Sequence, residues 1–383
     1  MIKAGTDQAF SANGSSGAER YPSAAPGGKA PSSQVGQSAV AVELAGKDAG
    51  LQLDFWQGVT PGAYEVASRV KRALPLEATL RFRRLDRIAM SRFSSRSYIV
   101  SRSDRSVRRY AGRFVKIKLF VQGGAILCHG GSRLRLDRGA VHIIDQSRNW
   151  NAVYDDHEQL SVFLPHHTIG YQPARHPVCI SFPVGSPTGR VLASAVSSLL
   201  GCLTVVDTNE ANAFADGFAA LIRQTLSGTA PDSSIAAARS LRLEAMKAFI
   251  DRHIDDIELG IDRLVVEFRL SRATVFRDFA ALGGVANYVR ARRLERAFDE
   301  LMHNPGQRGI VTATADRWHF ASASHFSEAF FYHFGARPGE IVGLRREAAA
   351  LDTAPVSALG SPPATDLAAA QLRLRNLYAR FTQ

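Results

Sequence analysis

Between residues 239 and 346 one local pattern occurs twice, and it narrows the possible folds of this chain more than any other feature. In the first copy, IDRLVVEF is followed by a two-residue turn, by Ser271 as an N-cap and by RATVFRDFAAL, where Val275, Phe279 and Leu282 recur at helical spacing. In the second, IVTATADRW, the turn HFAS, Ser322 as N-cap and ASHFSEAFFYHF repeat the order, with Phe326, Phe330 and Phe334 as the inward stripe. Each copy is a helix-turn-helix, whose second helix can lay its N-terminal side chains against base edges in a major groove. With those stripes facing a core, Arg272, Ala273, Thr274, Phe276 and Arg277 are left outward on one helix, and Ala323, Ser324, His325, Ser327 and Glu328 on the other. Phe276 could meet a thymine methyl there or pack on a neighbouring helix, and both readings stay open.

The segment NYVRARRLERAFDELMH joins the two units as an amphipathic linker helix. Its Tyr288, Val289, Leu294, Ala297 and Leu301 turn toward a core, and Arg290, Arg292 and Arg296 are expected to be available to solvent or phosphate. Ahead of both units, SLRLEAMKAFIDRHI carries a buried stripe of Leu243, Met246, Phe249 and Ile250.

The rest of the chain has a different texture. Residues 1–53, rich in Gly, Ser, Ala and Pro, are expected to form a disordered leader, because few of their side chains could offset the cost of ordering the backbone. From 54 onward aromatic and β-branched residues return. FVKIKLFVQ, GGAILCHGG and GSRLRLDRGAVHIIDQS set short alternating runs between glycine turns, which predicts an antiparallel β barrel or sandwich. Over 189–226 the period becomes helical, giving an αα-hairpin with Asn209 as an available N-cap, and the linker 227–235 separates this β-rich half from the helical one. The fold class is therefore α+β: residues 54–226 β-rich with the hairpin, 236–347 all-α, and 348–383 a flexible stretch ending in a helix.

Taken together, LSRATVFRDF with Gly283 and Gly284, YVRARRLERA, FASASHFSEAF and FGARPGEIVGLR resemble the AraC/XylS family of bacterial transcription regulators over about 100 residues. The β-rich half, through RGAVHIIDQS and the αα-hairpin, resembles the cupin-like sensor domain of the XylS branch. The resemblance implies a regulator that binds double-stranded promoter or operator DNA, activates through RNA polymerase, pairs as a homodimer and responds to a small organic effector held in residues 54–226. Two positions depart from the family pattern. His319 stands in the second turn where glycine is usual, and Glu328 stands on the second recognition helix where arginine is usual.

Charge bears on partners rather than on fold. Of the +12 net charge, 19 basic and 4 acidic residues fall within 69–138, whereas 236–347 holds 17 basic and 15 acidic. Arg-rich strands favour an acidic effector over a cation, and a non-specific nucleic-acid binder using 69–138 is an alternative reading. A cupin-type metal enzyme with an attached regulatory module is another. However, the histidines at 129, 142, 157, 166, 167 and 176 lack ligand spacing and read as loop or surface residues, so no metal, cofactor or catalytic residue is assigned. Cys128, Cys179 and Cys202 lie far apart, which suggests no disulfide framework, and Cys128 and Cys202 sit in apolar settings as small buried hydrophobes. No GxGxxG or GxxxxGK occurs, no apolar run is long enough for a membrane helix, and no secretory h-region opens the chain. The expected location is the cytoplasm, with the nucleoid when bound to DNA.

Overall fold

Alternation of apolar and polar residues builds two antiparallel sheets in the structure, a computed structural model that describes residues 39–43, 64–68, 78–84, 88–109, 112–201, 208–228, 234–304, 307–352 and 372. In the larger, seven-stranded sheet the order is β1 (Ala39–Glu43), β3 (Thr79–Arg84), β4 (Ala89–Ser95), β11 (His157–Pro165), β6 (Phe114–Gln122), β9 (Ala140–Asp145) and β12 (Cys179–Pro183). The smaller, five-stranded sheet is ordered β2 (Glu65–Ser68), β5 (Tyr98–Arg102), β10 (Trp150–Tyr154), β7 (Gly124–His129) and β8 (Ser132–Asp137). Short helices α1 (Asp104–Arg109) and α2 (His166–Ile169) interrupt the strands, and α3 (Pro187–Gly201) and α4 (Thr208–Ser227) follow them. The helical half contains α5 (Ser234–Arg252), α6 (Ile261–Phe268), α7 (Arg272–Phe279), α8 (Val285–His303), α9 (Ile310–Arg317), α10 (Ala323–Phe334) and α11 (Pro338–Asp352).

Period-two alternation gives each sheet two different faces. On the outer face of the larger sheet, Val115, Ile117, Val141, Ile143 and Val162 pack under Leu192 and Val196 of α3 and Phe218 and Ile222 of α4. Between the sheets lie Phe120, Leu127, Ile144, Trp150 and Tyr154. Facing the other way from the smaller sheet, Ile99, Cys128 and Val153 join one core with Met246, Tyr288, Phe298 and Phe330 of the helical half. The small sheet is thus buried on both sides.

Several expectations need correction. β1 lies inside the expected leader: within its glycine-rich surroundings AVAVE alternates, and it pairs with β3 from Ala39↔Arg83 to Glu43↔Thr79. β3 and β4 were hidden by their arginines, which alternate with the buried Leu80, Phe82 and Met90. The second hairpin helix starts at Thr208, so Asn209 lies in its first turn rather than capping it. α11 continues to Asp352, past the boundary expected at 347. His142, His157, His166 and His176 are buried rather than on the surface. Cys128 and Cys179 are free and buried, whereas Cys202 and most of the helix expected at the end of 348–383 lie outside the described residues.

Candidate nucleic-acid interface

Each helix-turn-helix is closed by the serine that its sequence offers. Ser271 Oγ accepts from the Thr274 N–H at 3.2 Å and Ser322 Oγ from the His325 N–H at 3.1 Å, satisfying one otherwise unpaired donor at each recognition-helix N-terminus. Val275 and Phe279 of α7 and Phe326, Phe330 and Phe334 of α10 are fully buried. Arg272, Ala273, Phe276 and Arg277 are consequently exposed on α7, as are Ser324, His325 and Glu328 on α10. Thr274, Ala323 and Ser327 are only half exposed. The Thr274 hydroxyl pairs with Ser271 Oγ at 2.9 Å, Ser327 Oγ donates to the Ala323 carbonyl at 2.7 Å, and Ala323 packs on the core.

Arg272 sits 2.5 Å from Asp262 on α6 in a solvent-exposed ion pair. Such a pair contributes at most about 1 kcal/mol, so an arriving phosphate can displace the carboxylate. A cleft of about 510 Å³ runs between the two units, bordered by Phe276, Gly283, Arg290, His319, Phe320 and His325. Arg290 of the linker helix α8 reaches His325 Nε2 at 3.0 Å, tying the linker to the second recognition helix. Phe276 lies along this cleft and is 56% exposed, open to a ligand or a DNA surface.

His319, the departure from glycine, adopts φ +60° and extends its Nε2 to the Asp255 carbonyl at 2.7 Å. That hydrogen bond offsets the roughly 1 kcal/mol cost of a left-handed backbone at a residue with a Cβ. The first turn places Arg269 at φ +51° in the same way.

Two of the three linker arginines are not open to phosphate. Arg292 is 3% exposed, with its Nε 2.6 Å from Asp251 and a second contact to Glu295. Arg296 pairs with Asp104 of α1 at 2.5 Å. At helical spacing, Arg292, Glu295, Arg296, Asp299 and His303 form a charged stripe that points away from Arg290, and the small sheet covers it. Glu295 accepts from the N–H groups of Gly131 at 2.8 Å and Gly130 at 3.2 Å. Asp299 accepts from Ser101 Oγ at 2.8 Å, and His303 lies 2.5 Å from Glu65. Burial lifts Asp299 to about 6, and the hydrogen bond to Glu65 raises His303. Burial works against the Arg292 charge, but Glu295 and Asp251 more than offset it, so Arg292 remains cationic. Sequence reasoning missed Asp104, Gly131, Glu295 and Asp299 as contact residues. The signal was the charged stripe itself, on the helix face opposite the apolar one.

Among the described residues no group of three His, Cys, Asp or Glu side chains is placed to hold a metal ion, and no helix is long and apolar enough to cross a membrane. Of the arginines within 69–138, Arg92, Arg96 and Arg135 pair with Glu158, Asp156 and Asp155, so part of that excess charge is neutralised locally.

Two family models match the chain: an AraC-binding-like domain over residues 65–227 and a helix-turn-helix domain over 264–343. Similar solved structures include the AraC-like transcriptional activator CuxR, 17% identical over 69% of this chain and 96% of that one, with a TM-score of 0.45. They also include ToxT from Vibrio cholerae, 12% identical over 68% of this chain and 99% of that one, with a TM-score of 0.34. The two matched segments, in that order, span the two sheets except β1, together with their hairpin, and the paired helix-turn-helix units on one linker helix. The chain belongs to the AraC family of helix-turn-helix transcription regulators.

Proposed function

We propose that the chain binds one specific double-stranded DNA site and activates transcription there, under the control of a small organic effector held in its β-rich half. The observation that carries this reading is the pair of capped recognition helices, each exposing polar side chains from its first turns, joined by a single 19-residue helix. Arg277 and Arg272 supply base or phosphate contacts, Ser324 and His325 hydrogen-bond from the second unit, and Arg290 lies between them. Because 236–347 is close to neutral, affinity rests on these placed side chains rather than on a general basic field. Glu328 faces outward and suits a cytosine amino group better than a phosphate. Family membership supports contact with RNA polymerase and a cytoplasmic location. Pairing into a homodimer is supported by Val191 on α3 and Phe214 on α4, each about half exposed on the hairpin.

Selecting bound fragments from a random DNA pool with the full chain tests this reading. The expected result is enrichment of one motif with two elements about one helical turn apart. Unselective recovery of the pool would contradict it.

A further inference from the structure

The face of the larger sheet that meets the smaller one carries a row of polar side chains where a core between two sheets is ordinarily apolar. Register pairs Ser91 of β4 with Ser161 of β11, Ser161 with Lys118 of β6, and Lys118 with His142 of β9. Alternation turns all four to the side opposite Ile117, Val141 and Val162, which pack under α3 and α4. All four are buried. Lys116 faces the same way one row along, its Nζ 5.0 Å from the centre of the Phe163 ring. Lys118 Nζ donates to Tyr154 Oη and lies 4.5 Å from the centre of that ring. Among the described residues neither lysine forms an ion pair with a carboxylate. Burial pushes Lys116 down to about 8, and burial together with Lys116 pushes Lys118 well below the usual lysine range.

The same face of β11 carries three buried polar atoms with no hydrogen-bond partner among the described residues: His157 Nε2, Gln159 Oε1 and Ser161 Oγ. His157 Nδ1 lies 2.9 Å from the Asp155 carbonyl and so carries the ring proton, leaving Nε2 as an acceptor. Two lysine amines that face no carboxylate, with unfilled acceptors beside them, would cost the fold several kcal/mol if nothing complementary ever bound. Of the arginines expected to favour an acid, Arg81 and Arg92 are exposed on the other side of their strands, whereas Arg84 alternates with Phe82 onto this face at its β3 edge, its buried Nε also without a partner among the described residues.

We propose that this interior binds a small aromatic hydroxy acid, its carboxylate on Lys118 and the hydroxyls of Ser161 and Ser91, its own hydroxyl on His157 Nε2 or Gln159 Oε1. The rings of Phe93, Phe120 and Tyr154, which surround His157, supply the aromatic walls. This inference rests on the effector reading above and gives the effector a chemical class.

The test uses the full chain with 4-hydroxybenzoate and its neutral counterpart 4-hydroxybenzamide, read by thermal shift and by the fluorescence of the buried Trp150. The acid is expected to bind at least about tenfold more tightly than the amide, and Lys118→Met to weaken the acid about tenfold or more while leaving the amide unchanged. Without ligand, Lys118→Met should raise Tm by about 2–4 °C, because it removes a buried polar amine that no carboxylate compensates. A lysine with a merely structural role would show a lowered Tm instead, and that result overturns the proposal. Ser161→Ala, which preserves the fold, should weaken the acid about three- to tenfold. Equal binding of acid and amide overturns the acid class while leaving an effector site in place. Failure of both to bind overturns this interior as the site, and a separate screen of neutral compounds then decides the effector reading.

Discussion

Replacing Gly131 by alanine strikes the contact between the β-rich half and the linker helix at its tightest point. Gly131 adopts φ +75°, where an alanine costs about 1–2 kcal/mol. An added Cβ would lie 2.8 Å from Tyr288 Cδ2, and the Tyr288 ring is buried edge-on against Phe279, so it has little room to retreat. The turn must therefore lift, stretching the two N–H bonds to buried Glu295, a charged acceptor whose bonds are worth about 1.5–3 kcal/mol. Summed, Gly131→Ala should cost about 3–5 kcal/mol. Gly130→Ala is the internal control: φ is +55°, but a Cβ there meets open space, so only the backbone cost of about 1–2 kcal/mol applies. Urea unfolding measures both. Hydrogen exchange over Val285–His303 should be faster in the Gly131 variant than in the Gly130 variant by about 30- to 100-fold. Equal effects of the two substitutions would refute the close approach of turn and helix.

Two further outcomes follow from the same geometry. Burial raises Asp299 to about 6 in the folded protein, so its contribution to stability is complete below the unfolded carboxylate value near 4 and is lost as pH rises through 6. Asp299→Asn keeps an acceptor for Ser101, should stabilise the protein by about 1–2 kcal/mol at pH 7.5, and should remove that part of the pH dependence in denaturation curves measured from pH 4 to 8. An unchanged pH profile would count against a buried, uncompensated carboxylate. Arg269→Gly relieves an exposed left-handed residue and should raise stability by about 0.5–1 kcal/mol, whereas His319→Gly should be close to neutral because it also loses the bond to Asp255. Calorimetry on the two variants separates them, and a similar gain for both would mean that the histidine bond contributes nothing.

Much of the helical half was legible because its stripes are regular. Val275, Phe279, Phe326, Phe330 and Phe334 are buried where their spacing placed them, and Ser271 and Ser322 cap the helices they precede. Arg292 and Arg296 show the limit of such reasoning. Periodicity tells which residues leave a helix's own apolar stripe, but not whether another part of the chain covers the opposite face. β1 was lost because composition averaged over a long window hides five alternating residues, and β3 because its arginines disguise the alternation of Leu80 and Phe82. Lys116 and Lys118 were legible as charge but not as interior, because the direction of a strand's faces is set by its neighbours in the sheet.

Recognition that rests on a few placed side chains of the paired helix-turn-helix units makes Arg277→Ala, measured on selected and scrambled DNA, the decisive substitution. The expected loss is about 10- to 100-fold on the selected site with scrambled binding largely unchanged, the size of one good base contact. Equal losses on both DNAs would contradict it and reduce Arg277 to a contact with the backbone.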